Sequence, residues 1–168
     1  MQIKFLDEID VVNYKKVSMF IGFPKCTFKC NKEYGKKICH NLLLTKEPNI
    51  EIFNEELIWR YTHNPLSEAI VCGGLEPFES SNDLINLINA VRAKCKDDIV
   101  IYTGYTEEEL NHFKDIKGEV FKQIIKLPNI IIKFGRYIPN HVPHYDKILG
   151  VNLASDNQYA KQYNVEEK

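Results

Sequence analysis

Four short, nearly unbroken apolar runs, VSMFIGF, EAIVCGG, DIVIYTG and NIIIKFG, each containing or running into glycine, constrain this chain more than any other feature. A strand buried on both faces reads as a continuous apolar run, whereas a strand with one wet face alternates. Residues 15–23 are rich in β-branched and aromatic side chains and stop at Pro24, which predicts a buried strand leading into a loop. Amphipathic stretches lie between the runs. Residues 54–64 open on Asn54 as a capping residue, place Leu57, Ile58 and Tyr61 at helical spacing, and stop before Pro65. SSNDLINLINAVRAKC puts Leu84, Leu87, Ile88 and Val91 on one helical face. TEEEL starts a helix with a Thr106 cap and an acidic first turn, EVFKQIIK is amphipathic, and KILGVNL offers a further strand. Buried strands alternating with helices predict parallel βα units with the active site at the strands' C-terminal ends. A closed eight-unit barrel takes about 250 residues, so the expected fold is an α/β, partial and open parallel βα barrel. An open side admits a loop of another protein as readily as a small molecule, and that geometry favours a macromolecular substrate.

With 168 residues, 44% hydrophobic and 27% charged, the chain is expected to form one domain over residues 1–168 with a sizeable core. A formal net charge of -1 gives no electrostatic footprint for nucleic acid or an anionic membrane. Charges interrupt the apolar residues of MQIKFLDEIDVVNYKK, so it reads as neither a signal peptide nor a spanning segment, and a cytoplasmic location is expected.

Three of the five cysteines cluster in CTFKCNKEYGKKICHN, at Cys26, Cys30 and Cys39, directly after the first predicted strand. An odd thiol count in one loop fits metal ligation in a reducing compartment better than a disulfide framework. Thiolates are ligands of iron–sulfur clusters and of zinc. Structural zinc takes four protein ligands, with His40 the nearest fourth candidate, and adjacent Cys39 and His40 make poor simultaneous ligands. A cluster of four irons held by three cysteines leaves one iron open to a substrate's amine and carboxylate. The ligand count therefore favours the cluster over zinc. Cys72 and Cys95 read as small buried residues at a strand end and a helix end.

CTFKC followed by CHN, GGLEP after a strand, IYTGY after the next, and LASDNQ near the end, in that order, resemble the radical S-adenosylmethionine superfamily. Within it, residues 17–158 are most similar to the activating proteins of anaerobic ribonucleoside-triphosphate reductases. The resemblance implies that Cys26, Cys30 and Cys39 hold a 4Fe-4S cluster. It implies that Gly73 and Gly74, with Glu76 and Pro77, receive the methionine amino group of S-adenosylmethionine, and that Thr103 and Gly104 lie beside that cofactor. Asn157 and Gln158 match an Asn-Gln pair near the family's C-terminal end. The implied chemistry is transfer of one electron from the reduced cluster to the sulfonium, giving methionine and a 5'-deoxyadenosyl radical that takes hydrogen from a glycine of a partner reductase. An electron donor of flavodoxin or ferredoxin type is implied, and no catalytic residue beyond the cluster is required.

The chain departs from that family in three places. Eight residues, not two, separate Cys30 from Cys39, and the residue before Cys39 is Ile38 where an aromatic commonly meets adenine. The charged extra segment contains Gly35 and can loop out while both cysteines reach one cluster. Leu75 splits the usual Gly-Gly-acid-Pro order, and Phe134 stands where the activators commonly have an acid. Two other functions remain open: a radical enzyme with a small-molecule substrate, as in the deazaguanine-forming branch, and a non-catalytic metal-binding module. Glycine pairs are common at strand-to-helix turns for structural reasons, and Thr103 could simply cap the next turn. His141, His144 and Asp146 read as a proline-bracketed surface loop ahead of a metal site.

Overall fold

The computed structural model describes residues 1–165, so the last three residues of the expected domain lie outside the described residues. In chain order the strands are β1 (Gln2–Ile3), β2 (Phe5–Asp10), β3 (Ser18–Phe23), β4 (Ile50–Glu51), β5 (Ala69–Gly74), β6 (Asp98–Tyr102), β7 (Ile130–Phe134), β8 (His144–Asp146), β9 (Val151–Leu153) and β10 (Tyr159–Tyr163). The α-helices are α1 (Lys29–Tyr34), α2 (Asn54–His63), α3 (Ser81–Arg92), α4 (Glu107–His112) and α5 (Ile116–Ile124). Six strands form one open sheet in the order β10-β7-β6-β5-β3-β2. The four apolar runs make its centre, β3, β5, β6 and β7, and pair in parallel. Both edges, β2 and β10, are antiparallel, a mixed arrangement that the continuous apolar pattern did not foretell. Edge strands are short of neighbours and half wet, so they lack the unbroken apolar signature.

Each central strand is buried on both faces, and its two faces differ. Met19, Ile21 and Phe23, Ile70 and Cys72, Ile99 and Ile101, and Ile130, Ile132 and Phe134 join the helix-side core with Leu57, Leu84, Ile88, Phe121 and Ile124. The opposite face presents Phe20, Val71, Val100 and Ile131 to a smaller cluster that includes Leu149 and Leu153. Phe134 is fully buried on the helix side, its ring 6.2 Å from that of Phe121 in a T-shaped contact. Lys133, one residue earlier, faces the other way by the two-residue period of the strand.

Several expected boundaries move. The first buried strand begins at Ser18, not at residue 15. Phe53, not Asn54, is the N-cap of α2, and it makes no side-chain capping bond. Thr106 does cap α4, with Glu109 completing a reciprocal capping box. EVFKQIIK belongs to α5, which starts earlier, after an Asp115 cap. Of KILGVNL, Val151–Leu153 is a strand, while Gly150 at φ +75° turns the chain before it. Among the described residues no helix is long and apolar enough to cross a membrane.

Candidate metal centre

Beyond the C-terminal end of β3 the chain enters the cysteine loop. Phe28 adopts a left-handed conformation, φ 51°, and its backbone N–H lies 3.2 Å from Cys26 Sγ. That bend starts α1, which carries Cys30 and ends at Gly35 in the left-handed region that glycine adopts without strain. Asn31 then closes the long Cys30–Cys39 segment. Its Oδ1 accepts the backbone N–H groups of Ile38 at 2.9 Å and Cys39 at 3.0 Å, so the extra residues 32–37, the end of α1 and the turn after it, project exposed. The following Asn41 donates from Nδ2 to the Gly74 carbonyl at 2.6 Å, joining the third-cysteine segment to the glycine segment after β5.

Cys26, Cys30 and Cys39 are free thiols of intermediate burial, and all three line one cavity of about 700 Å³. Ile38, Gly74, Glu76, Thr103, Gly104 and Lys133 line the same cavity. Gly73 and Pro77 lie outside its wall. A Cβ on Gly73 would meet Phe20 Cζ at 2.8 Å, and Pro77 is buried in the short 3-10 turn Pro77–Ser80 before α3. Gly74 has φ +80°, and a Cβ there would stand 2.9 Å from the Gly22 backbone, so this position requires glycine. Gln158 lines the cavity, with Oε1 accepting from Ala154 N–H and Nε2 donating to the Gly135 carbonyl. Asn157 is tied to the Arg136 carbonyl instead.

Glu76 is the buried acid of the site. Its Oε1 accepts from the Thr103 hydroxyl at 2.8 Å and the Phe78 N–H at 3.2 Å, and its Oε2 accepts from the Gly104 N–H at 2.8 Å. Burial pushes its carboxyl up to about 7 even though those three hydrogen bonds favour the charged form. Thr103 therefore caps the next turn, as its hydroxyl accepts the Tyr105 N–H two residues on, and also braces Glu76 by donating to it. At the rim, Lys29 of α1, Glu109 of α4 and Arg136 after β7 meet: Glu109 Oε1 accepts from Lys29 Nζ at 2.6 Å and Arg136 Nη2 at 2.9 Å. Burial pushes Glu109 up, but the Arg136 and Lys29 hydrogen bonds outweigh it and hold the carboxyl down to about 2.

Two of the thiols, Cys26 and Cys30, disfavour charge. Burial pushes Cys26 up to about 12, and burial, followed by the neighbouring Cys39, raises Cys30 as well. Bound iron deprotonates a coordinating thiol outright. Among the described residues no group of three or more His, Cys, Asp or Glu converges on a point that a single metal ion could occupy. A four-iron cluster does not require such convergence, because it spreads its ligands over separate irons. His40 is exposed at the edge of the same cavity, its ring tilted 42° to that of Tyr137 with the centroids 4.3 Å apart. Three thiols around one cavity, with His40 directed to Tyr137, fit a cluster with three protein ligands. Cys72 is fully buried in the helix-side core, and Cys95 packs against that core. His141 pairs with Asp156 at 2.5 Å while the buried Asp146 accepts the backbone N–H groups of Ile148, Leu149 and Ala160, so these residues do not share a site.

The 4Fe-4S single cluster domain family matches residues 15–152, and the chain belongs to that family. It is an iron–sulfur protein. No curated protein and no solved structure matches the chain.

Sequence reasoning missed Asn31, Asn41 and Lys133. The first two follow a cysteine or its neighbour and show no pattern of their own. Lys133 did leave a signal: it is the one charge in the run IIIKF, out of phase with Ile130, Ile132 and Phe134.

Proposed function

We propose that this iron–sulfur protein is a radical S-adenosylmethionine enzyme of the glycyl-radical-activating type, acting in the cytoplasm as a single domain on an open, partial parallel βα barrel. When bound, the cluster supplies one electron to the sulfonium of S-adenosylmethionine, which yields methionine and a 5'-deoxyadenosyl radical. That radical would take a hydrogen atom from a glycine of a partner anaerobic ribonucleotide reductase, leaving 5'-deoxyadenosine and a glycyl radical, and the electron would come from a flavodoxin- or ferredoxin-type donor. The observation that supports this reading is one cavity of about 700 Å³ whose wall holds Cys26, Cys30 and Cys39 together with Gly74, Glu76, Thr103 and Gly104.

In this reading each residue has a modest task. The three thiols bind the cluster. Asn31 and Asn41 fix the third thiol relative to the Gly74 peptide through their hydrogen bonds at 3.0 and 2.6 Å. Glu76, held by Thr103 and Gly104, stiffens the wall that meets the methionyl end of the ligand. Ile38 offers adenine an apolar surface in place of an aromatic one, and the cavity walls keep water from the reactive carbon. No proton transfer by a side chain is needed.

A small-molecule substrate in place of the partner glycine is favoured by one observation: the cavity contains a buried lysine, Lys133, with no carboxylate in ion-pair contact among the described residues.

The deciding experiment measures iron, sulfide and 5'-deoxyadenosine release from S-adenosylmethionine under dithionite after anaerobic reconstitution, for wild type and Cys39→Ala. Cleavage that depends on the cluster and is lost in the variant supports the reading. An iron-loaded protein that leaves S-adenosylmethionine intact would overturn it.

A further inference from the structure

Lys133 lies on the cavity face of β7, 7% exposed, and lines the same cavity as the three cysteines. Its Nζ donates to the Gly135 carbonyl at 2.8 Å and stands 5.9 Å from the centre of the Tyr102 ring. Neither contact neutralises an ammonium. The other charges of the cavity wall are engaged elsewhere. Glu76 spends both oxygens on Thr103, Phe78 and Gly104; Arg136 is paired with Glu109; Asp7 accepts from the Ile9 N–H; Asp10 accepts from the Val12 and Asn13 N–H groups and the Asn13 side chain. The Gly135 carbonyl already has a second donor, Gln158 Nε2 at 3.1 Å, so it does not depend on the lysine.

A buried ammonium that feels Glu76 across the cavity but has no carboxylate in direct contact is costly, and a chain that needed only a strand residue here would place an apolar one, as it does at Ile130, Ile131 and Ile132. Desolvation holds Lys133 down to about 8, so it is still mostly protonated at neutral pH, and an adjacent anion would strengthen that charge.

We infer that Lys133 is the anion anchor of the cavity, binding the carboxylate or phosphate group of the molecule that occupies it. The inference rests on reading this cavity as a ligand site. Two sources share that chemistry: the carboxylate of S-adenosylmethionine itself, and the acidic group of a separate substrate. A charge-assisted hydrogen bond to either would orient the molecule relative to the cysteines.

The test compares the anaerobically reconstituted full chain with its Lys133→Met variant, using calorimetric titration with S-adenosylmethionine, with its decarboxylated analogue and with inorganic phosphate, together with ligand-free thermal melting. The expected result is at least tenfold weaker binding of a carboxylate- or phosphate-bearing probe in the variant, with a melting temperature no lower than wild type. If wild type prefers S-adenosylmethionine to the decarboxylated analogue and the variant does not, the anchored group is the cofactor's carboxylate. If S-adenosylmethionine binds both proteins equally and phosphate binding is lost, the anchored group belongs to a separate substrate. Should Lys133→Met fail to fold, Lys133→Gln, which keeps a donor for Gly135, is read in the same way, and Lys133→Arg should retain binding. Equal affinities in wild type and variant, or no binding of either probe by wild type, would overturn the inference. Absence of S-adenosylmethionine cleavage by wild type would sink the proposed function and leave the phosphate arm to decide this one.

Discussion

Asn31 holds Cys39 next to Cys30: its side-chain oxygen accepts the Cys39 N–H at 3.0 Å and the Ile38 N–H at 2.9 Å, across a segment of eight intervening residues. A long loop loses little entropy per added residue on closure, so one well-placed side chain is enough to bring its ends together. Asn31→Ala should therefore lower iron incorporation several-fold after reconstitution while changing stability by less than about 1 kcal/mol, since the site is only half-buried. Asn31→Asp, which keeps the acceptor, should load like wild type. Iron and sulfide assays beside denaturant melts separate the two effects.

The two cysteines outside the loop should be dispensable for the cluster. Cys72→Ala removes a fully buried sulfur from the helix-side core and should cost about 1 kcal/mol through lost packing. Its cluster absorbance, and that of Cys95→Ala, should match wild type, whereas alanine at Cys26, Cys30 or Cys39 should abolish it. Equal loss in the Cys72 variant would count against the assignment.

Thr103 satisfies two groups at once, donating to Glu76 and accepting from Tyr105 N–H. Thr103→Val preserves shape and removes both bonds, so chemical denaturation should show a loss of about 2 kcal/mol. Thr103→Ser should recover most of it.

At the rim, hydrogen bonds from Arg136 and Lys29 outweigh burial and hold the Glu109 carboxyl down to about 2 in the folded chain, below the ordinary glutamate value of 4.5. A depressed carboxylate contributes stability that is fully present above the unfolded value and disappears as pH falls through the folded one. The wild-type melting temperature should drop between about pH 4.5 and pH 2 with a share due to Glu109. Glu109→Gln should melt lower at pH 7 and show a shallower fall over that window, as followed by circular dichroism.

Gly74→Ala should destabilise by roughly 2 kcal/mol or more, because φ is +80° and the new Cβ would press on the Gly22 backbone at 2.9 Å. Gly35→Ala shares the positive φ of 62° and meets nothing within 4 Å, so it should cost only the backbone term of about 1 kcal/mol. The difference between the two denaturation midpoints measures the crowding at the cavity wall.

The central elements were legible because their cause is local. VSMFIGF, EAIVCGG, DIVIYTG and NIIIKFG are apolar at nearly every position since each is covered on both faces, and that signature survives in the sequence as β3, β5, β6 and β7. The helices α2, α3 and α5 announced themselves by the spacing of Leu57 and Tyr61, of Leu84, Leu87, Ile88 and Val91, and of Val120, Phe121 and Ile124. The cysteine loop was visible for its residue types alone. What the chain by itself determined, then, was the alternation of buried strands and helices and a set of three thiols at a strand end.

Only the tertiary structure decided how those thiols meet. The antiparallel edges β2 and β10 depend on which strands remain to pair with β3 and β7, a long-range choice with no local pattern. Asn31 and Asn41 act through hydrogen bonds to backbone groups 8 and 33 residues away, and polar side chains of this kind carry no periodic signal. Lys133 and Phe134 are adjacent in the sequence, but the sheet sends one into the cavity and the other into the helix-side core. That division is set by which face the helices cover, and helix coverage is settled by packing, not by the residues of one strand.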